Sequence, residues 1–303
     1  MRDCLSPQRA HGFTLIEAVV VIVITGIIAA MVAVFIRSPV DSYMAAERRA
    51  GLTDIADTAA RRIARDLRQA LPNSVRMSID NSGQCIEFMP TKIGARYRSE
   101  VDGATGNGNR LDFTAVDDGF DMLWPNASLP VDNRIAARDI FVVYNDGSAS
   151  GNAYTGANAI QVAAVAEPGG TVNTTAISFV GTGAAAPFNR KQLPSESPGG
   201  RFQVIPGPTH VVAYRCHGSV LTRHTRTLAA AWSQPANCAA MVAGATTATL
   251  ATSLGNCSLV YDPPGVSTGL SRNGIVSMTL GITDAATGET VNLYHQVHVD
   301  NTP

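Results

Sequence analysis

The spacing of apolar residues changes twice along the chain, and each change predicts a different element. From Ala18 to Ile36 there is no charged residue. At about 1.5 Å of rise per residue, a helix from Phe13 to Ile36 reaches roughly 36 Å, enough to cross a hydrocarbon core of roughly 30 Å. The run is rich in Val and Ile, poor helix formers in water, but in lipid the backbone must satisfy its own hydrogen bonds and helix is the available solution. From Leu52 the pattern becomes amphipathic. Leu52, Ile55, Ala56, Ala59, Ile63, Leu67, Ala70 and Leu71 form one stripe, with Arg61, Arg62, Arg65, Asp66 and Arg68 mostly on the other faces. The spacing predicts a helix with one side for a sheet. Pro39 bends it, and Pro72 ends it at Leu71.

Beyond residue 74 the period falls to 2. The runs 84–89, 110–116, 139–145, 159–165, 176–180, 201–205, 209–216, 219–225, 257–262, 274–283 and 290–299 are short and rich in β-branched or aromatic residues. Cys216-His217-Gly218 and Ala285–Gly288 read as hairpin connections, so the last two runs form an antiparallel pair. The stretches 101–110, 145–158 and 181–200 are loops by composition. The expected fold is α+β: a long N-terminal helix whose distal half packs on a mostly antiparallel sheet in one elaborated domain.

One residue does not fit a plain membrane anchor. Glu17 sits near the start of the apolar run, where a carboxylate costs on the order of 3 kcal/mol, and no cation lies one helical turn away. A secretory signal peptide fits poorly, because the apolar run is too long and lacks an A-x-A site between Ile27 and Ile36.

Gly12-Phe13-Thr14-Leu15-Ile16-Glu17, placed after a short leader, resembles the G-F-T-L-[IV]-E motif of type IV prepilins and type II secretion pseudopilins. The resemblance implies cleavage between Gly12 and Phe13 by prepilin peptidase, N-methylation of Phe13, and a mature chain whose fifth residue is Glu17. It also implies a pilin-like fold. Cleavage would create an amine at Phe13 that can meet Glu17 of a neighbouring subunit, so each buried charge is satisfied only in the assembly and one axial register is favoured. The expected organisation is a leader 1–12, a membrane and assembly helix 13–36, an amphipathic half 37–71, and a β-rich periplasmic or extracellular head 72–303.

More loosely, "RRIARDLRQALPNSVRM" (61–77), "GRFQVIPGPTHVVAYRC" (200–216), "NCSLVYDP" (256–263) and the segment from Arg272 onward are similar to the large minor pilins of the mannose-sensitive haemagglutinin pilus, the MshO type. Gly- and Ala-rich stretches at 145–200 and 239–256, and Ala18 after the Glu, depart from that pattern. The resemblance implies a minor pilin acting in pilus assembly initiation or at a tip. Its partners would be major and other minor pilins, prepilin peptidase and the inner-membrane assembly platform. The alternatives are a J-type pseudopilin and a membrane-anchored tip adhesin, for which Trp124, Trp232 and Tyr154 offer stacking faces.

Charge flanking the span does not orient it, since Arg2 and Arg9 precede it and Arg37, Arg48 and Arg49 follow. Cysteine usage does. Cys4 lies in the leader, and Cys85, Cys216, Cys238 and Cys257 remain, an even number suited to an oxidising periplasm. The uniform, small-residue stretch between Cys238 and Cys257 suggests that these two close a surface loop, leaving Cys85 with Cys216 by elimination. No C-x-x-C pair exists, and His210, His217 and His224 lack accompanying ligands at metal spacing. Asp117, Asp118 and Asp121 suit turns better than calcium, for want of EF-hand spacing. Gly103, Gly106 and Gly108 lead to Asn109-Arg110 where a phosphate loop needs Lys-Ser/Thr, and no nucleophile elbow occurs. Together with a formal net charge of −1, these readings predict a non-enzyme without cofactor or metal and without affinity for nucleic acid.

Overall fold

The computed structural model describes residues 12–103, 106–167, 173–183, 188–228, 235, 237–262 and 273–303. The chain divides into two units, Met1–Gly51 and Leu52–Pro303.

A single helix, α1 (Leu15–Arg68), runs unbroken through Pro39. No residue from 15 to 51 is buried. From Ala56 onward the same helix is the spine of a hydrophobic core. Ala56, Ala59, Ala60, Ile63, Ala64 and Leu67 are all buried, and the many alanines let sheets approach the helix axis closely. Ile55, expected in the stripe, is 44 % exposed, and Ala60 and Ala64 take its place. Asp66, expected on the polar side, is buried and accepts hydrogen bonds from Tyr214 Oη and Arg223 Nε, both at 2.8 Å. Desolvation, reinforced by this carboxylate, raises the Tyr214 phenol well above its usual range.

The helix stops at Arg68, short of the expected Leu71. Gln69 N–H bonds to Asp66 O and Ala70 N–H to Leu67 O, the tight bonds of a terminating turn, and Leu71 N–H goes to Met89 O. Asn73 then adopts φ +56, a left-handed conformation that Asn tolerates.

Two antiparallel sheets cover the helical spine. The first contains β1 (Arg76–Asp80), β2 (Gly83–Phe88), β9 (Val211–His217), β10 (Val220–Arg226) and β11 (Thr246–Ala251), in the order β1-β2-β9-β10-β11. The second is β12 (Leu254–Asp262), β13 (Asn273–Thr283) and β14 (Thr290–Asp300) in sequence order. The expected final hairpin is present, with Thr283 opposite Thr290. Val212, Tyr214 and Leu221 of the first sheet and Leu259, Met278, Leu280 and Val297 of the second share one core with the helix.

The third sheet is an insertion. Phe88 pairs with Val212, so the chain leaves β2 and re-enters at β9 at adjacent points, an arrangement that tolerates a spliced-in body. Between them lie β3 (Ile93–Arg96), β4 (Gly119–Met122), β5 (Ile140–Val143), β6 (Ala159–Ala166), β7 (Thr175–Phe179) and β8 (Arg201–Ile205), in the order β3-β8-β5-β6-β7-β4. The two edges meet. Tyr97 bridges Met122, Leu123 N–H donates to Arg96 O at 2.9 Å and Arg98 N–H to Asp121 O at 2.8 Å. The sheet therefore closes into a six-stranded antiparallel barrel, which removes its edges. Its interior is filled by Phe120, Phe141, Phe179 and Phe202, with ring centroids 5.0 to 5.7 Å apart, tilted or edge-on as aromatic quadrupoles prefer. Leu71, Met89, Ile140, Val142, Tyr154, Ile205 and Val211 form a further cluster that joins barrel and helix-backed sheets into one unit.

The stretch 110–116, expected as a strand, is instead a looping plug. Leu111 is buried in the barrel core, while the Asp112 carboxylate accepts from Thr114 N–H at 2.7 Å and bends the chain. Strands β1, β3, β4 and β11, and the short helix α2 (Cys238–Val242), lie outside the runs expected from the sequence.

The disulfides correct the expected pairing. Cys85 is bonded to Cys238 and Cys216 to Cys257, with Cα separations of 5.4 and 6.2 Å. Cys85 cannot reach Cys216. In the β2–β9 register Cys216 lies opposite Gln84 and Cys85 opposite Arg215, one residue out of step, so their side chains leave the sheet on opposite faces. Cys216 belongs to the helix-side core and meets Cys257 there, whereas Cys85 packs with Cys238 and Met241 of α2 on the far face. Cys238 and Cys257 are also separated by structure rather than by a loop, since α2 and β11 lie between them.

Candidate functional site at the N-terminal helix

The helix start is organised by its own side chains. Thr14 is the residue before the first helical position, and its carbonyl accepts from Ala18 N–H at 3.1 Å. Its hydroxyl accepts from Glu17 N–H and donates to Glu17 Oε2, both at 3.4 Å. The bond from the Glu17 amide is an N-cap contact, with Thr at the cap and Glu at the third helical position. The carboxylate lies in the first turn, where it complements the positive end of the helix dipole. Phe13 is 70 % exposed and Glu17 is also exposed. Among the described residues, α1 is the one helix long and apolar enough to cross a membrane.

Residues 7–33 match the family model described as the prokaryotic N-terminal methylation motif. At its N-terminus the chain is prepilin-like. No curated protein and no solved structure matches it. The motif supports a type IV pilin or pseudopilin processed by prepilin peptidase, one that associates with other pilins in general terms. With the apolar helix it fits a membrane-anchored, structural protein.

The other residues singled out in the sequence do not converge. His210 is buried, its Nδ1 accepting from Leu228 N–H at 2.9 Å, and it meets Phe188 edge-on. His224 is buried between Thr222 and Thr247, at 2.8 and 2.9 Å. His217 is exposed. Asp117 accepts from Asp112 N–H and Gly119 N–H, Asp118 pairs with Arg190, and Asp121 accepts from Asn109 N–H and faces Arg98. In the glycine-rich loop the amides of Gly106 and Asn109 already bond within the protein, to Asp102 O and Asp121 Oδ2. Tyr154 is buried, donates to Ser74 O at 3.0 Å and lies under the Arg76 guanidinium, 3.5 Å from the ring centre. It presents no stacking face. Trp124 does, at 56 % exposure. Trp232 and Cys4 lie outside the described residues.

Sequence reasoning missed a buried charged cluster. Glu87 is fully buried between Arg76 and Arg226; Arg76 Nε is 2.7 Å from its Oε1 and Arg226 Nη2 2.7 Å from its Oε2. Each carboxylate oxygen thus has a guanidinium partner, as burial requires. The signal in the sequence was a Glu between Ile86 and Phe88 in a strand.

Burial of His210 depresses its imidazole to about 4 from an ordinary 6.5. The folded protein therefore resists a proton that the unfolded chain accepts. Stability is unaffected by this group above pH ~6.5, falls as pH drops from ~6.5 to ~4, and loses about 3 kcal/mol in total. His224 is shifted in the same direction by burial. Urea unfolding at a series of pH values should show that slope, and a His210→Gln variant should flatten it.

Proposed function

We propose that this protein is a minor pilin of a type IV pilus, of the MshO type. In this reading prepilin peptidase cuts between Gly12 and Phe13 and Phe13 is N-methylated. Residues 13–36 hold the subunit in the inner membrane and then in the fibre, 37–71 complete the helix, and 72–303 form a periplasmic head later carried to the pilus tip or cell surface. The partners are major and other minor pilins and the inner-membrane assembly platform.

The observation that carries the reading is Glu17 in the first turn of a helix whose apolar first part is unburied, within the N-terminal methylation motif. Two further features support it. The disulfides Cys85–Cys238 and Cys216–Cys257 suit an oxidising compartment. The inserted barrel enlarges the head, and a large head is awkward to repeat along a densely packed shaft but has room at a tip. Mass spectrometry of the natural protein should find Phe13 as the N-terminal residue, carrying one methyl group. Quantitative proteomics of sheared fibres should find it far below the major subunit. A retained leader would overturn the processing, and a dominant share of the shaft would overturn the tip position. A type II secretion pseudopilin is the alternative within this class, and the genes beside this one discriminate: a retraction ATPase and major pilin against a secretin and secreted hydrolases. A tip adhesin is a second reading, favoured by exposed Trp124.

A further inference from the structure

Three arginines converge on the outside of the barrel with no partner among the described residues. Arg96 at the end of β3 and Arg201 at the start of β8 are direct cross-strand neighbours, so their side chains leave the same face of the sheet. Like charges in that relation destabilise a sheet. Arg68, in the last turn of α1, lines the same cleft of about 450 Å³, together with Gln203, Asp300 and Thr302. Among the described residues Asp300 is the one acid there, and its carboxylate accepts from Thr302 N–H at 2.8 Å. None of the three guanidinium groups has a hydrogen-bonded or ion-paired partner among the described residues. Several other arginines of the head are ion-paired, Arg76 and Arg226 with Glu87, Arg98 with Asp121, Arg223 with Asp66. Gln203 adds a second observation: its Oε1 is buried without a partner on the cleft wall.

Strand β3 separates this cleft from an apolar groove of about 290 Å³. Gly94, Ala95 and Arg96 line both, and the groove adds Leu123, Leu129 and the exposed face of Trp124. A cationic cleft able to hold carboxylates in bidentate fashion thus adjoins an aromatic platform. Each volume is on the scale of one or two sugar rings, since small-ligand sites run roughly 300–1,000 Å³.

We infer that Arg68, Arg96, Arg201 and Trp124 form a binding site for an acidic saccharide, a chain of pyranose rings bearing carboxylates. The ring face stacks on Trp124 while the carboxylates of adjoining units lie between Arg96, Arg201 and Arg68. Gln203 offers an amide to a ring hydroxyl. Single-stranded nucleic acid suits the site less well, because successive bases need successive stacking faces and, among the described residues, the groove presents one, Trp124. The inference is independent of pilus assembly, which rests on residues 12–17, so its failure leaves that reading standing.

The test is calorimetric titration of the full mature chain in detergent with trigalacturonic acid, its neutral trisaccharide counterpart, inorganic sulfate and a short oligothymidylate. Trigalacturonic acid should bind, with the neutral sugar and sulfate each weaker by about tenfold or more. Arg96→Ala, Arg201→Ala and Trp124→Ala should each weaken it by about tenfold, and Arg96→Lys by less than Arg96→Ala. Thermal unfolding separates a site from a scaffold: relief of the Arg96–Arg201 repulsion should leave Tm unchanged or higher in both alanine variants. Absence of binding, affinity unchanged in the arginine variants, tighter binding of the oligonucleotide, or a lowered Tm in those variants would each overturn the inference.

Discussion

Replacing Cys85 and Cys238 together by alanine should lower the unfolding free energy by about 5 kcal/mol, a cost that would leave many domains largely unfolded. The bond closes a segment of 153 residues, and in the chain-entropy picture the restriction on the unfolded state grows with the logarithm of that length. Its local role is equally direct. Helix α2 has five residues, far fewer than an isolated helix needs in water. It is held by the bridge, by Asn237 capping Ala240 N–H, and by Asp80 accepting from Cys238 N–H. The Asp80 carboxyl is accordingly held down at about 2, chiefly by the Ser82 hydroxyl and next by the Cys238 amide. Removing Cys216 and Cys257 should cost less, about 4 kcal/mol, because the segment spans 41 residues. Urea unfolding under oxidising conditions measures both costs. Thiol titration of the mature Cys85→Ala/Cys238→Ala protein tests the connectivity as well: no free thiol is expected, whereas a Cys238–Cys257 pairing would leave two.

That pairing shows where a sequence stops being informative. The helix was legible because a continuous apolar run at its start gives way to an amphipathic stripe from Leu52 to Leu67, and most strands were legible because their period-2 runs are bounded by turn residues. Which face a cysteine occupies depends on the register between strands distant in sequence, and no local pattern encodes the one-residue offset that places Cys85 opposite Arg215. The barrel was hidden for the same reason. Its strands were mostly recognisable one by one, but closure rests on Tyr97 meeting Met122, and β3 and β4 are four-residue strands each containing a glycine. Asp66 and Glu87 were unreadable as buried groups because their partners, Tyr214, Arg223, Arg76 and Arg226, come from other elements. The N-terminal motif was legible because its residues are contiguous in sequence. The proposed saccharide site was half legible: Trp124 stood out, whereas the opposed arginines required the β3–β8 register.

On the proposed pilin reading, Glu17→Val should reduce incorporation into fibres by about a hundredfold while leaving cleavage after Gly12 and membrane insertion intact. Among the described residues of the lone chain, the carboxylate has Thr14 and the helix dipole to satisfy it. In lipid it costs on the order of 3 kcal/mol, and Val removes that cost, so the variant should sit in the membrane at least as well as the parent. The loss falls on assembly. A Phe13 amine brought into an apolar bundle without Glu17 is an unpaired buried charge, worth several kcal/mol against association, and ~3 kcal/mol corresponds to a little over a hundredfold in equilibrium. Glu17→Gln keeps the polar contact to Thr14 but not the charge, and should fall between Val and the parent. The readout is the fraction of epitope-tagged subunit recovered in sheared fibres relative to the membrane pool, with the N-terminus of each pool determined by mass spectrometry. Equal incorporation of the Val variant would remove Glu17 from any part in choosing the register. Its loss from the membrane pool as well would place the residue in processing or insertion, because a defect confined to assembly leaves that pool full.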